Sequence, residues 1–133
     1  MAQEVSVRVK QISDSTSEGR ARHHKVLSDR PEAKGGTDRG PMGGEMLLMG
    51  LGGCFMSNLL AAVRAREARV SGLAIEVAGT LAEAPARFAA IRMTISGTYD
   101  DRTEMEKLVT IAERGCIVAN TLKNAVQLSL EIV

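Results

Sequence analysis

Residues 45–67 read EMLLMGLGGCFMSNLLAAVRARE, and this stretch decides what the rest of the chain has to do. Glu45 opens it and Arg64 and Arg66 close it, the charge order that complements a helix dipole. Between Met46 and Val63 the residues are apolar on nearly every side, interrupted only by glycines and by Ser57 and Asn58. A helix without a polar face must be wrapped by other structure. The run also approaches the roughly 20 residues of a bilayer span. Its glycines, its polar pair and the lack of flanking aromatic residues favour a core helix instead, with no membrane as partner.

Working outward, the flanks read as sheet. Residues 3–10 (QEVSVRVK) place Val5, Val7 and Val9 on one side of a first strand, half-buried by its period of two. From Ile12 to Gly40 the chain is polar, with one extended segment expected in ARHHKVLSD, residues 21–29, and a loop in PEAKGGTDRGP, residues 31–41. Beyond the apolar helix, residues 73–82 (LAIEVAGTLA) and 88–98 (FAAIRMTISGT) alternate and are joined by EAPAR, a predicted antiparallel hairpin. Residues 101–114 (DRTEMEKLVTIAER) repeat apolar side chains at Met105, Leu108, Val109 and Ala112, a predicted amphipathic helix capped by Gly115. A short apolar turn around Cys116 leads to a closing strand in which Val126, Leu128, Leu130 and Ile132 alternate with polar neighbours.

This order predicts an α+β fold in which sheets cover the apolar helix. At 133 residues the chain suits one domain, residues 1–133. A single subunit of that size has too little sheet to enclose the helix, so a homodimer is expected.

Seventeen Lys and Arg stand against 16 Asp and Glu, and no run concentrates one sign, so neither nucleic acid nor an anionic membrane is expected as a partner. Aromatic residues make up 2% of the chain and Trp is absent, which argues against stacking on bases or sugars. The first residues, MAQEVSVRVKQ, lack the apolar core of a secretory signal, so a cytoplasmic location is expected. Two cysteines in a reducing compartment read as free or redox-active thiols rather than a structural disulfide.

Cys54 alone reads as a small buried hydrophobe beside Phe55 and Met56. Reactivity requires thiolate, which apolar burial opposes and which a distant helix dipole helps little, so a cation is expected from elsewhere. Arg20, Arg22, Arg30 and Arg39 are the candidates, with Arg20 preferred. Glu45 is explained by the dipole, at roughly 0.3–1 kcal/mol for a carboxylate in the first turn, or by orienting that arginine. Cys116 is 62 residues from Cys54, and spacing alone leaves open whether they meet. His23 and His24, adjacent on an extended segment, are expected on opposite faces, and the cysteine spacing fits no zinc pattern, so no metal or other cofactor is expected.

The stretch GPMGGEMLLMGLGGC, residues 40–54, resembles the signature of OsmC-like proteins, the OsmC/Ohr family. AERGCIVANTL, residues 112–122, resembles that family's second cysteine segment, and the hairpin AEAPARFAAIRMTISG its paired strands. The likeness runs from about His24 to the end, with Ile117 standing where many relatives have Pro, and with Glu45 nine residues before Cys54 where clear organic-hydroperoxide-resistance members place it one residue further away. It implies an intertwined α+β homodimer with central buried helices wrapped by antiparallel sheets. It further implies reduction of organic hydroperoxides with an external dithiol as reductant, Cys54 as the peroxidatic and Cys116 as the resolving residue, and an Arg and Glu pair, Arg20 and Glu45, beside the thiol. A module holding a hydrophobic or acyl ligand near an inert Cys54 is the alternative, and a dimer that only senses oxidation is a third.

Overall fold

A five-residue connection at residues 12–16 and a tight turn at residues 22–23 fold the N-terminal part into a small meander. In the computed structural model, which describes residues 2–133, β1 (Arg8–Gln11), β2 (Ser17–Ala21) and β3 (His24–Ser28) form an antiparallel sheet in that order. The extended segment expected at residues 21–29 is thus the second arm of a hairpin whose first arm, SEGRA, carries too few apolar residues to announce itself. Arg22 makes the turn with φ of 56°. The first strand also begins later than its valines suggest, and Val5, Val7 and Val9 are 90%, 67% and 66% exposed rather than half-buried. Alternation marks a face that gains by being covered; it does not supply the cover.

Asp29, buried at the end of β3, organises the loop that follows. Its carboxylate accepts from the Thr16 hydroxyl at 2.8 Å, the Thr37 hydroxyl at 2.6 Å and the backbone N–H groups of Arg30, Thr37 and Arg39 at 2.7, 3.3 and 3.2 Å. The Thr37 hydroxyl, with Thr16 and the two arginine N–H groups, holds this carboxyl well below the usual carboxylate range. Residues 31–41, expected as loop, are so apart from one 3₁₀ turn at Glu32–Lys34.

The chain forms two compact units, one ending at Leu47 and the other Leu48–Val133, with the division inside helix α1 (Gly43–Ala65). Only one stripe of α1 is buried, formed by Leu51, Phe55, Leu59 and Ala62 at the i, i+4, i+8, i+11 spacing of a single helix face. Its length and mean hydropathy of 1.8 would suffice for a membrane span, but that stripe is part of a protein core. Within one chain the helix is not enclosed all round, as the small amount of sheet in a single subunit leads one to expect. Met49 and Leu60 are 55% and 45% exposed.

In the second unit, β4 (Val70–Ala82) and β5 (Arg87–Tyr99) make the expected antiparallel hairpin. Helix α2 (Arg102–Gly115) follows, with Asp101 accepting from the Thr103 N–H as its N-cap and with Met105, Leu108, Val109 and Ala112 all buried as their spacing requires. A short helix α3 (Ile117–Leu122) and strand β6 (Gln127–Ile132) complete it. β6 lies parallel to β5, so this sheet is mixed and not antiparallel throughout. The reason is the α2–α3 crossover, which returns the chain to the end of the sheet from which β5 set out. The α1 stripe shares one core with Ile91, Met93 and Ile95 of β5, the buried face of α2, Cys116 and Ala119. Gly52 allows α1 to lie close to β4, since a Cβ there would stand 3.0 Å from a methyl of Val77.

Candidate functional site

Cys54 sits at the edge of the buried α1 stripe, three residues after Leu51 and immediately before Phe55, and is half-buried. Cys116 is fully buried at the corner between α2 and α3. Both are free thiols, and the Cys116 thiol reaches that of Cys54 across the 62 residues that separate them in sequence. The tertiary structure therefore answers what the spacing left open.

The corner itself departs from the expected glycine cap. Gly115 is the last residue of α2, and Cys116, with φ of −81° and ψ of 108°, ends that helix and also caps the next. Its Sγ accepts the Ala119 N–H at 3.4 Å, the position a Ser or Asp oxygen occupies in an ordinary N-cap. The expected turn around Cys116 is a helix start, which its six residues, IVANTL, do not announce by composition.

That helix start supplies what a cation was expected to supply. Burial pushes the Cys54 thiol up, but the Val118 N–H, the Cys116 thiol and the Ile117 N–H together outweigh it and bring Cys54 below the usual thiol range. The first N–H groups of a helix have no intrahelical acceptor and carry its positive end, so a thiolate placed before them is stabilised without a charged side chain. Cys116 moves oppositely. Burial raises it, the Ala119 N–H lowers it, and the neighbouring Cys54 raises it again, so that Cys54 ionises first.

Ile117 is the first residue of α3, a position where proline is well tolerated. Cys116 already has the extended backbone that precedes a proline. Ile117→Pro therefore removes one N–H donor from Cys54 with little distortion. The rising limb of Cys54 alkylation against pH is expected to move to higher pH, because the thiolate loses a partner that the thiol does not need. At neutral pH the rate should fall by about 2- to 10-fold, the equivalent of one net hydrogen bond, and converge with the parent at high pH. An unchanged iodoacetamide pH profile would show that the Ile117 N–H does not act on Cys54.

Glu45 and Arg20 belong to the N-terminal unit and are not brought together there. The Glu45 carboxylate accepts the Met42 N–H at 2.8 Å, one half of a capping box at the start of α1. The Arg20 guanidinium donates through Nε to Glu18 at 2.7 Å, and that arginine holds the Glu18 carboxyl below its usual range. His23 and His24 do not point to opposite faces, since their rings lie 4.0 Å apart. His23 is in the turn rather than in a strand, and the alternation rule does not apply to it.

Several solved structures share this fold. The OsmC-like protein of Mycoplasma pneumoniae matches over 100% of this chain and 98% of its own, with a TM-score of 0.86 and 17% identity. An organic hydroperoxide resistance protein OsmC of Legionella pneumophila matches over 99% and 98%, with a TM-score of 0.74 and 16% identity. The organic hydroperoxide resistance protein OhrB of Bacillus subtilis matches over 98% of each chain, with a TM-score of 0.68 and 16% identity. No curated protein matches in sequence. Residues 36–131, which include both cysteines, α1 and all of the mixed sheet but its last residue, match the OsmC-like proteins as a family, and to that family this chain belongs.

Proposed function

We propose that this chain reduces organic hydroperoxides through Cys54 and Cys116, with an external dithiol restoring both thiols. The observation that carries the reading is the unequal placement of two neighbouring cysteines. The Val118 and Ile117 N–H groups at the start of α3 favour the thiolate of Cys54, whereas Cys116 is buried and its thiol form is favoured. This is the division of labour the reaction needs. The Cys54 thiolate attacks one peroxide oxygen, the O–O bond breaks, and the departing alkoxide takes a proton to become an alcohol, leaving a sulfenic acid. The Cys116 sulfur then attacks the Cys54 sulfur, a disulfide forms, and the hydroxyl leaves as water. Exchange with a dithiol reduces the disulfide and oxidises the dithiol. The names of the Legionella and Bacillus proteins support the choice of hydroperoxide. The apolar neighbours of Cys54 favour organic hydroperoxides over hydrogen peroxide.

The family resemblance implies that Arg20 meets the developing negative oxygen and Glu45 orients it; within one chain each has another partner, Glu18 for Arg20 and the Met42 N–H for Glu45, which it would have to leave for that role. The active species is a homodimer. Its support is the large apolar side chains that each unit leaves exposed, Val5, Val7, Val9 and Val26 in the N-terminal unit and, separately, Met49 and Leu60 on α1 in the second. A second copy would cover such side chains. The cytoplasm, which provides reducing thiols, suits a catalyst that must be returned to its thiol form.

The test is one equivalent of cumene hydroperoxide added to the reduced protein, followed by intact and peptide mass spectrometry. Loss of two hydrogens, localised to a bond between Cys54 and Cys116 and complete within seconds, is the expected result. Survival of both thiols in excess peroxide would make the reading wrong.

A further inference from the structure

We infer that Asn58 is a positioning residue for the thiol pair, holding the corner that carries Cys116 against the helix that carries Cys54. The inference rests on the pairing of Cys54 with Cys116 put forward above, not on the identity of the oxidant.

In a continuing helix the Ala112 carbonyl would accept the Cys116 N–H, but that N–H bonds to Glu113 O at 3.2 Å, so the Ala112 carbonyl is left without its helical donor. Asn58 Nδ2 donates to it at 3.4 Å. A second late carbonyl of α2, that of Arg114, accepts from Asn120 Nδ2 at 3.0 Å. Side chains thus satisfy the end of α2, and of the two donors only Asn58 comes from the cysteine-bearing helix α1. Asn58 lies one turn after Cys54 on the same flank. A single amide therefore ties the helix that supplies one sulfur to the carbonyl four residues before the other.

Gly115 fits this role independently. Its φ is not in the left-handed region, so glycine is not required by the backbone. What a side chain would meet there is Asn58, since a Cβ would stand 3.3 Å from Nδ2 and 3.8 Å from Cγ. The glycine leaves room for the asparagine amide at the point where α2 stops.

The expected consequence is a slower joining of the two sulfurs, with Cys54 as reactive as in the parent once it is fully ionised. It is read without peroxide. Glutathione is placed on Cys54 as a mixed disulfide, and the Cys116 sulfur displaces it, forming the Cys54–Cys116 disulfide and releasing reduced glutathione. Release is followed by acid quench and mass spectrometry, alongside the iodoacetamide rate of Cys54 in the reduced protein and a melting curve.

Asn58→Ala is expected to slow glutathione release by about 3- to 10-fold, the scale of one lost hydrogen bond. Because the same corner carries the Ile117 and Val118 N–H groups, Cys54 alkylation is compared at a pH high enough to ionise the thiol fully, where it stays within about two-fold of the parent. Gly115→Ala, whose gain in helix propensity opposes the loss of the hydrogen bond, is expected to slow release similarly by displacing the amide. In the Asn58→Ala background it should add little, because its target is gone. Should Asn58→Ala fail to fold, Gly115→Ala alone carries the test. Release as fast as in the parent in Gly115→Ala and in any folded Asn58→Ala, or alkylation of fully ionised Cys54 falling in parallel with release, would overturn the inference. So would a parent that never releases glutathione, since there would be no pair to position. A parent that closes the disulfide in this way but ignores hydroperoxide would sink the proposed activity and leave the role of Asn58 standing.

Discussion

Cys54→Ser is expected to bring hydroperoxide consumption, measured with dithiothreitol as reductant, down to the rate of the blank. The N–H groups of Ile117 and Val118 and the Cys116 thiol bring a thiol below its usual range against the burial that raises it. The same donors cannot ionise an alcohol at neutral pH, so no nucleophile remains. Cys116→Ser separates the two steps. That variant keeps Cys54 and its facing N–H groups, consumes one equivalent of hydroperoxide, and stops at a sulfenic acid that dimedone traps. Cys54→Ser retaining a substantial share of the parent rate would place the chemistry elsewhere. Full steady-state turnover by Cys116→Ser would show instead that the external thiol resolves the sulfenic acid itself.

The largest structural effect is expected at the residue next to the nucleophile. Phe55 is 0% exposed and stands in the middle of the α1 stripe, in the core shared with β5 and α2. Phe55→Ala removes a ring from a close-packed site that rigid sheet and helix neighbours cannot fill. It should cost about 3–5 kcal/mol in a denaturant titration. Met49→Ala on the same helix is the contrast. At 55% exposure within one chain it would cost less than about 0.5 kcal/mol if the chain acted alone. In the proposed dimer it would cost more, and the loss would shrink as protein concentration rises, since the association is part of the stability. Equal and concentration-independent costs for the two variants would contradict both the core assignment and the dimer.

Much of the fold was legible because burial on one side leaves a period. Met105, Leu108, Val109 and Ala112 are buried together, and β6 buries Leu128, Leu130 and Ile132 more deeply than the polar residues between them, as their alternation requires. Where a segment has neither period nor composition, it was not legible. β2, with SEGRA, pairs through its backbone alone, and α3 is six residues long with β-branched members. The direction of β6 was hidden for a related reason. Alternation tells which side of a strand is buried and says nothing about which way the strand runs beside its neighbour.

For the candidate site, the sequence by itself determined the residue types: a thiol in an apolar helix, a second thiol at a helix boundary, and the motif that joins the chain to its family. It could not determine what tunes the first thiol, because a cation is the only tuning group that a side-chain alphabet displays. Here the tuning groups are the backbone N–H groups of Ile117 and Val118, which every non-proline residue possesses and which act only because the fold starts α3 in front of Cys54. Nor could it show that Cys116 caps that helix, or that Asn58 satisfies the end of α2, since both depend on carbonyl and N–H groups left over where helices stop. Patterning along the chain shows which faces are buried; it is silent on the meeting of Asn58 with the Ala112 carbonyl, because that contact joins segments more than 50 residues apart and forms only once α1 and α2 are packed together.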